Sequence, residues 1–558
     1  MSRAISPSAP RDDSIVAPLR YPVYRAIWLA SLLSNFGLLV QGVGAAWAMT
    51  EMVSSAEMVA LVQTALMLPV MLIAIPAGAA ADMYDRRKVI LAALLLCLGG
   101  ASLLSALALL GLVSPALLLL LTFVIGSGMA LFGPAWQASV SEQVPPEAMA
   151  SAVALNSISF NIARSFGPAV GGIIVAVAGA VGAFFANAIL YLPLLAVIAR
   201  WRRVEVPPRL PPESFSRAII SGARYIFHSP AIRTVLIRTF LTGVAGGSVS
   251  ALMPLVARDL LGGGAQIYGI MLGMFGMGAV AGAVNIALIR RRLSAEWTIR
   301  LAATLMGLAI CVIALSHSSI LTGLALLLAG AGWMVGVTIF NIGIQLCIPR
   351  WVAGRALAGF QAAIAGGIAF GSWLWGHVAT GWGVEIALLG SGIAMALLPL
   401  FGRWLPMPAS DVSAAEAQEL PADPEVTLKL TPRSGPIIIE VEYQVDAADA
   451  RSFYDIMQKV QLGRQRNGAY GWSLARDIAQ PELWTERFHC PTWLDYLRQR
   501  TRATEAERMT ERQAAAYHKG PLPRLIRRKL DRPLGSVRWK DQTPDQDGSG
   551  NLAPPTGL

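Results

Sequence analysis

The stretch Gly78-x-x-x-Asp82-x-x-x-Arg86-Arg87 sets one carboxylate and two guanidinium groups between two apolar runs. Groups of these types do ion-pair chemistry: in a partly buried setting they hold two elements together by a few kcal/mol and can be exchanged for other partners. A second reactive position is Arg164, near the middle of NSISFNIARSFGPAVGG (Asn156–Gly172). An arginine at mid-membrane depth costs about 2.5–3.5 kcal/mol on insertion scales, so it must face water or a hydrogen-bonding partner. The same run carries Gly167, Pro168, Gly171 and Gly172. Proline interrupts the backbone ladder, and small residues permit bending or tight packing. Amides at Asn35, Gln41, Gln137, Asn156 and Asn161, then Asn341, Gln345 and Gln361, are candidates to wet one central cavity. Taken singly, each reads more readily as an interhelical hydrogen bond.

Other chemistries are excluded by context. GMGAVAG (Gly276–Gly282) has the glycines of a dinucleotide loop, but it lies inside an apolar run rather than between a strand and a soluble helix. No Walker lysine motif exists, which argues against an ATP-driven pump. Cys97, Cys311, Cys347 and Cys490 are far apart and match no metal-ligand or disulfide spacing, so they read as small apolar packers. No metal and no catalytic residue is expected. The net charge of +11 gathers in particular connections and the C-terminal region, which argues against nucleic-acid binding. No aspartate or glutamate stands clearly mid-span: Asp82 and Glu142 lie at one set of ends, Glu51, Glu385 and His377 near the other.

The elements that must position these groups are membrane spans. The chain has 558 residues, 55% hydrophobic and only 14% charged, against about 25% charged in soluble proteins. Twelve apolar stretches are predicted, at 23–49, 57–81, 88–112, 115–140, 149–178 and 181–200, then 234–257, 266–289, 297–316, 319–345, 354–379 and 384–403. Arginines crowd the 2–3, 6–7, 8–9 and 10–11 connections while the alternate connections are nearly bare, so both termini are expected to be cytoplasmic. A shift of 204 residues carries Gly126, Gly128, Pro145, Gly167 and Gly172 onto Gly330, Gly332, Pro349, Gly371 and Gly376. This favours two related halves with a substrate site between them near mid-membrane.

The expected fold is therefore an all-α membrane protein of two pseudo-symmetric six-helix halves, with a small α+β ferredoxin-like domain. Residues 1–20 read as a tail, 21–202 as the first half, 203–232 as a central loop and 233–404 as the second half. Residues 405–435 read as a linker, 436–520 as the α+β domain and 521–558 as a basic, largely disordered tail. The domain is predicted to run strand, helix, two strands, then helices from about Thr492 and Ala503.

Over about residues 20–405 the chain resembles the major facilitator superfamily, through the Gly78–Arg87 spacing and the Gly167-Pro168-x-x-Gly171-Gly172 helix. The likeness is greatest to the branch of enterobactin exporters, macrolide-efflux proteins and transmembrane secretion effectors, which SNFGLLVQGVGAAW (Ser34–Trp47) also resembles. The resemblance implies that Gly78, Asp82, Arg86 and Arg87 form a cytoplasmic latch between conformations, and that the Gly-Pro helix is of the antiporter type. Met83 replaces the cation usual after the aspartate, and Ala163 an expected glycine. The implied function is export of a small amphiphilic molecule (siderophore, drug or secondary metabolite) across the plasma (inner) membrane, by alternating access driven by proton antiport and without a cofactor. The alternatives are an uptake permease of the same fold, or a membrane-anchored enzyme or sensor. Residues 436–520 resemble modules of the antibiotic-biosynthesis-monooxygenase type, which implies a homodimer through the sheet. Trp472, Trp484, His489, Trp493 and His518 can line a pocket there, though aromatic core packing is the plainer reading.

Overall fold

Apolar runs in a bilayer have no water to satisfy their backbone, so each closes its own hydrogen bonds as a helix. The computed structural model describes residues 16–202, 215–408, 424 and 426–531. Among these residues, 11 helices are long and apolar enough to cross a membrane. They are α1 (Pro22–Met52), α2 (Ala56–Met83), α3 (Arg86–Leu109), α4 (Pro115–Ser139), α5 (Met149–Arg200), α7 (Pro230–Leu255), α8 (Ala265–Arg292), α9 (Ala295–Leu315), α10 (Ser319–Cys347), α11 (Ala353–Trp382) and α12 (Val384–Phe401). The 52-residue α5 is two spans in one: Gly179, at φ 65°, adopts a conformation that side chains resist and turns the chain into a second leg. Twelve spans result, at the predicted places. Prolines open α1, α4 and α7, and the Asp85 side chain accepts from Arg87 N to cap α3.

The chain divides into two compact units. The first holds the described residues up to Ile219, with Thr234–Ile344 and Gly354–Met407. The glycines of the 204-residue repeat reveal its symmetry, because each meets the helix its counterpart requires. A Cβ on Gly126 would stand 2.5 Å from Leu66 O of α2, and one on Gly330 would meet Phe275 O of α8. Gly128 faces Ala93 of α3, and Gly332 faces Ala302 of α9. Gly167 abuts Leu39 of α1, and Gly371 abuts Val244 of α7. Gly172 meets Ala265 and Gly269 of α8 in the other half, while Gly376 meets Ala60 and Glu57 of α2. The exchange of partners in this last pair is what a pseudo-two-fold axis between the halves demands.

Among the described residues, one hydrophobic core draws on all twelve spans, from mid-span toward the end bearing the 1–2, 7–8 and 11–12 connections; its members include Trp47, Val59, Leu118, Phe184, Leu252, Tyr268, Ile310, Leu326 and Leu388. At the opposite, arginine-rich end, a separate cluster of Ile27, Ala81, Ile90, Ile125, Leu194 and Ile198 belongs to the first half. The bundle is thus sealed across both halves at one end.

The second unit comprises Ile220–Arg233, Gln345–Ala353 and the described residues from Pro408 on. Its strands are β1 (Ile437–Gln444), β2 (Tyr470–Arg476), β3 (Leu483–Cys490) and β4 (Ile526–Leu530). They form an antiparallel sheet in the order β2-β3-β1-β4, with Ile437 opposite both Cys490 and Leu530. Three helices, α13 (Ala450–Arg466), α14 (Trp493–Thr501) and α15 (Glu505–Ala516), complete a ferredoxin-like arrangement. Ile437, Ile439, Val441, Phe453, Met457 and Phe488 make its core. Burial pushes the Cys490 thiol up to about 12, consistent with inert packing.

Two expectations are corrected. The domain does not stop at 520, because β4 pairs with β1; its sequence IRRKL reads as a basic tail, yet charged residues are what an edge strand carries. The central loop is not wholly irregular: α6 (Phe215–Phe227) forms where Phe215, Ile219, Ala223 and Ile226 recur at helical spacing. The remainder of the predicted tail, 532–558, most of the linker and 203–214 lie outside the described residues.

A Cβ at Gly126 or Gly330 meets facing backbone that cannot yield, whereas one at Gly99 meets nothing within 4 Å. Gly126→Ala and Gly330→Ala are expected to lower the melting temperature of the purified protein by several degrees, as overpacking costs about 1–3 kcal/mol. Gly99→Ala is expected to leave it unchanged or slightly raised.

Candidate functional site

The helices place the latch residues in two directions. Gly78 faces the other half: a Cβ there would sit 3.5 Å from Ala358 Cβ of α11. Arg86 instead binds within its own half, donating to Ala138 O at 3.0 Å and Glu142 Oε1 at 2.7 Å beyond the end of α4. Arg87 donates to Ile198 O and Ala199 O at the end of α5. Both guanidiniums therefore satisfy carbonyls at helix C-termini, where the helix dipole also favours a cation. Asp82 ends α2 one turn from Gly78, and its side chain lies outside the described residues. Arg86 and Arg87, expected in a cytoplasmic latch between conformations, thus bind the ends of α4 and α5 of the first half.

On α5 the Gly-Pro motif serves two interfaces. Gly167 and Gly171 pack on Leu39, Val40 and Val43 of α1, whereas Pro168 and Gly172 face Gly269 of α8 across the halves. Between these faces, by helical spacing, lies a sector carrying Ser157, Asn161 and Arg164. The Arg164 guanidinium carbon stands 5.7 Å from the centre of the Phe275 ring of α8. The same construction recurs on α11. Gly367 and Gly371 pack on α7, Gly366 and Gly376 on α2, and Gln361 lies on the sector between. Under the 204-residue shift Ser157 falls on Gln361, so corresponding positions of the two halves are polar.

The other amides separate by environment. Gln41 is only 3% exposed and accepts from Asn187 Nδ2, so it is an internal tie of the first half and leaves the cavity set. Asn156 accepts from Tyr24 at 3.2 Å, and Asn161 donates to Ser157 O at 2.9 Å. Gln137 and Gln361 are exposed. Asn35 lies one heptad from Gly42, where a Cβ meets nothing within 4 Å, and Gly336 of α10 is equally open. Asn341 is half-buried with partners of its own, and Gln345 belongs to the second unit. Asn161 and Arg164 thus share a sector of α5, Gln361 lies on the corresponding sector of α11, and Asn35 lies one heptad from an open position.

Two polar ties escaped sequence reasoning. At the sealed end, Glu57 N donates to Thr380 Oγ1 at 2.9 Å, His377 Nδ1 stands 3.2 Å from Glu57 Oε2, and Arg258 donates to Thr50 O at 3.0 Å. All three join one half to the other, and Trp47 stacks on Tyr268 beside them. At the opposite end, Arg238 is 5% exposed and bonds Glu296 at 2.5 Å, and Glu296 also accepts from Met407 N at 3.1 Å. Only a buried cation in α7 signalled the latter; nothing in the spacing marked the former.

The family model described as transmembrane secretion effector matches residues 13–534. The chain belongs to that family. This transmembrane secretion effector is a multi-pass membrane protein of major facilitator fold and a secondary transporter of the exporting kind. A multidrug efflux pump, Tap, from Mycolicibacterium fortuitum is 27% identical over 394 residues, covering 68% of this chain and 95% of that one. The enterobactin exporter EntS of Salmonella typhi is 27% identical over 364 residues, covering 62% and 76%. Among solved structures, a D-xylose-proton symporter matches with TM-score 0.57 at 15% identity, over 72% of this chain and all (100%) of that one. The nucleoside transporter NupG matches with TM-score 0.57 at 10% identity, over 69% and 98%; both likenesses concern the fold alone.

Arg164 carries the charge on this sector of α5 and reaches Phe275 of α8 in the other half. Arg164→Gln is expected to reduce transport roughly tenfold at unchanged expression, the equivalent of a desolvated cation–π contact. Arg164→Lys should retain part of the activity. Unchanged transport in both would remove Arg164 from the mechanism.

Proposed function

We propose that this secretion effector exports a small amphiphilic molecule by alternating access. Its cargo would rest in the seam between the halves, beside Asn161, Arg164 and Gln361. The observation that carries the reading is the asymmetric seal. Among the described residues one core unites all twelve spans toward one end, Gly78 of α2 meets Ala358 of α11 near the other, and polar side chains lie on sectors of α5 and α11 between their packed faces. With the arginine-rich end and both termini in the cytoplasm, as the distribution of cations favours, this state is closed to the outside. Cargo would enter from the cytoplasmic side or leaflet, pair its polar part with the amides and Arg164, and be released when the Glu57–Thr380, His377–Glu57 and Arg258–Thr50 ties part.

The chemistry of the cargo is inferred from the seam and from relatives named as drug and siderophore exporters. One guanidinium, a few amides and apolar walls suit an amphiphile with a carboxylate, catecholate or carbonyl group. Proton antiport is the driving force we infer. We infer that the His377–Glu57 pair, which spans the halves at the sealed end, couples protons to opening. Homodimerisation through the sheet of the second unit belongs to the same proposal.

Inverted membrane vesicles test direction and coupling together. Vesicles containing the protein should accumulate an amphiphilic drug or siderophore when energised, and nigericin, which collapses the pH gradient, should abolish the uptake. His377→Ala, which removes the contact to Glu57, should lower the rate of energised uptake. Uptake that survives nigericin would overturn antiport. Accumulation only in right-side-out vesicles would overturn export.

A further inference from the structure

We propose that the second unit contains a binding site for an organic anion and that its occupancy regulates transport; the regulatory half of this rests on the transport reading above. The site is a cavity of about 600 Å³ whose lining residues all belong to the second unit. One part of its wall is apolar, from Ile439 and Val441 of β1, Phe488 of β3 and Val460 of α13. The rest is strongly cationic: eight lysines and arginines line it against two glutamates, Glu507 and Glu511.

Part of that charge is neutralised within the fold. Arg464 is bonded to the fully buried Glu486 at 3.1 Å and pairs with Glu511 at 2.5 Å. Burial alone would lower its pKa, and Glu511 and Glu486 override that and raise it, so it is a fixed cation. Arg524 and Arg528 donate to the tyrosine hydroxyls of Tyr443 and Tyr496 at 3.4 and 2.8 Å, which orients them without cancelling their charge. Arg466 and Arg512 also pair with carboxylates, Glu507 at 3.5 Å and Glu505 at 3.3 Å; Arg524 and Arg528, held by neutral acceptors beside the apolar floor, favour an anion, since arginine offers a planar fork suited to carboxylate or phosphate. The Ser229 hydroxyl, on a residue 3% exposed, lines the same cavity and has no partner. It supplies a neutral donor. The chemistry is therefore an apolar or aromatic body bearing a phosphate or carboxylate.

The location suggests what binding does. The cavity wall includes Tyr225 of α6, Pro230 at the first residue of α7 and Cys347 at the last of α10. The same elements are clamped to the ferredoxin-like module. Arg502 lies 4.0 Å over the Trp351 ring, Tyr225 meets Trp351 edge-on at 5.3 Å, and Arg466 lies 5.9 Å over Tyr225. Two membrane spans thus begin or end in the wall of the site. A ligand that favours one placement of those ends shifts the transport equilibrium by its differential affinity.

The test uses the full chain in phosphatidylcholine nanodiscs with phenyl phosphate as the probe, read by calorimetry. Saturable binding of about one probe per chain is expected. Lys459→Gln with Arg508→Gln should weaken it tenfold or more, while Lys459→Arg with Arg508→Lys, which keeps both charges, should retain it with an unchanged melting temperature. Probe affinity lost in phosphatidylglycerol nanodiscs would identify a lipid headgroup as the natural source of the anion; affinity retained there identifies a soluble one. No saturable binding, or binding equal in the neutral and wild-type proteins, overturns the site, whatever the transport assays show. Binding with no change in the export rate of reconstituted protein overturns the regulatory role and leaves the site.

Discussion

Close backbone approach at small residues is the constraint on which the bundle depends. Lipid offers no hydrophobic reward for bringing two apolar helices together, so association rests on packing and on hydrogen bonds between helices. Here the contacts come where a side chain would not fit: Gly172 against Gly269, Gly276 against Arg164 and Ser165, Gly243 against Gly367, Gly247 against Ile368 and Ser372. These contacts leave sectors of α5 and α11 between the packed faces, which the proposal assigns to the seam. The polar residues that occupy those sectors are therefore positioned by glycines on either side of them.

The same geometry separates what holds each half together from what joins the halves. Gly167 and Gly171 bind α5 to α1, and Arg86 and Arg87 tie α3 to the ends of α4 and α5; these are internal. Gly172 and Gly376 bind across the pseudo-two-fold, with the Glu57–Thr380 and Arg258–Thr50 bonds at the sealed end. Rocking of rigid halves requires the first set to stay intact while part of the second exchanges partners. Glycine contacts are suited to this, because they slide without a side chain to unlock, whereas the few polar ties give the sealed state its discrete stability.

Spans were legible in the sequence because length and apolarity alone decide them, and the repeat because glycine at a contact has no substitute. The assignment of polar residues was not. Gln41 and Gln361 are the same residue type in similar apolar surroundings, yet one is bonded to Asn187 inside a half and the other lies exposed. Only the partner helices distinguish them, and those are long-range. β4 and α6 were hidden for a different reason: their apolar positions are few and interleaved with cations, so composition read as tail and loop. The buried Arg238–Glu296 pair joins α7 to α9, and nothing local to either residue announces the other.

The central claim is that two related halves rock about the seam as units, one end opening as the other closes. Spin labels at Tyr84 and Leu293 report the arginine-rich end, and labels at Met52 and Trp382 the sealed end; electron–electron distance measurements on reconstituted protein follow both. On imposing a pH gradient with cargo present, the first distance should shorten and the second lengthen together. Two distances that stay fixed, or that lengthen in parallel, would contradict the account.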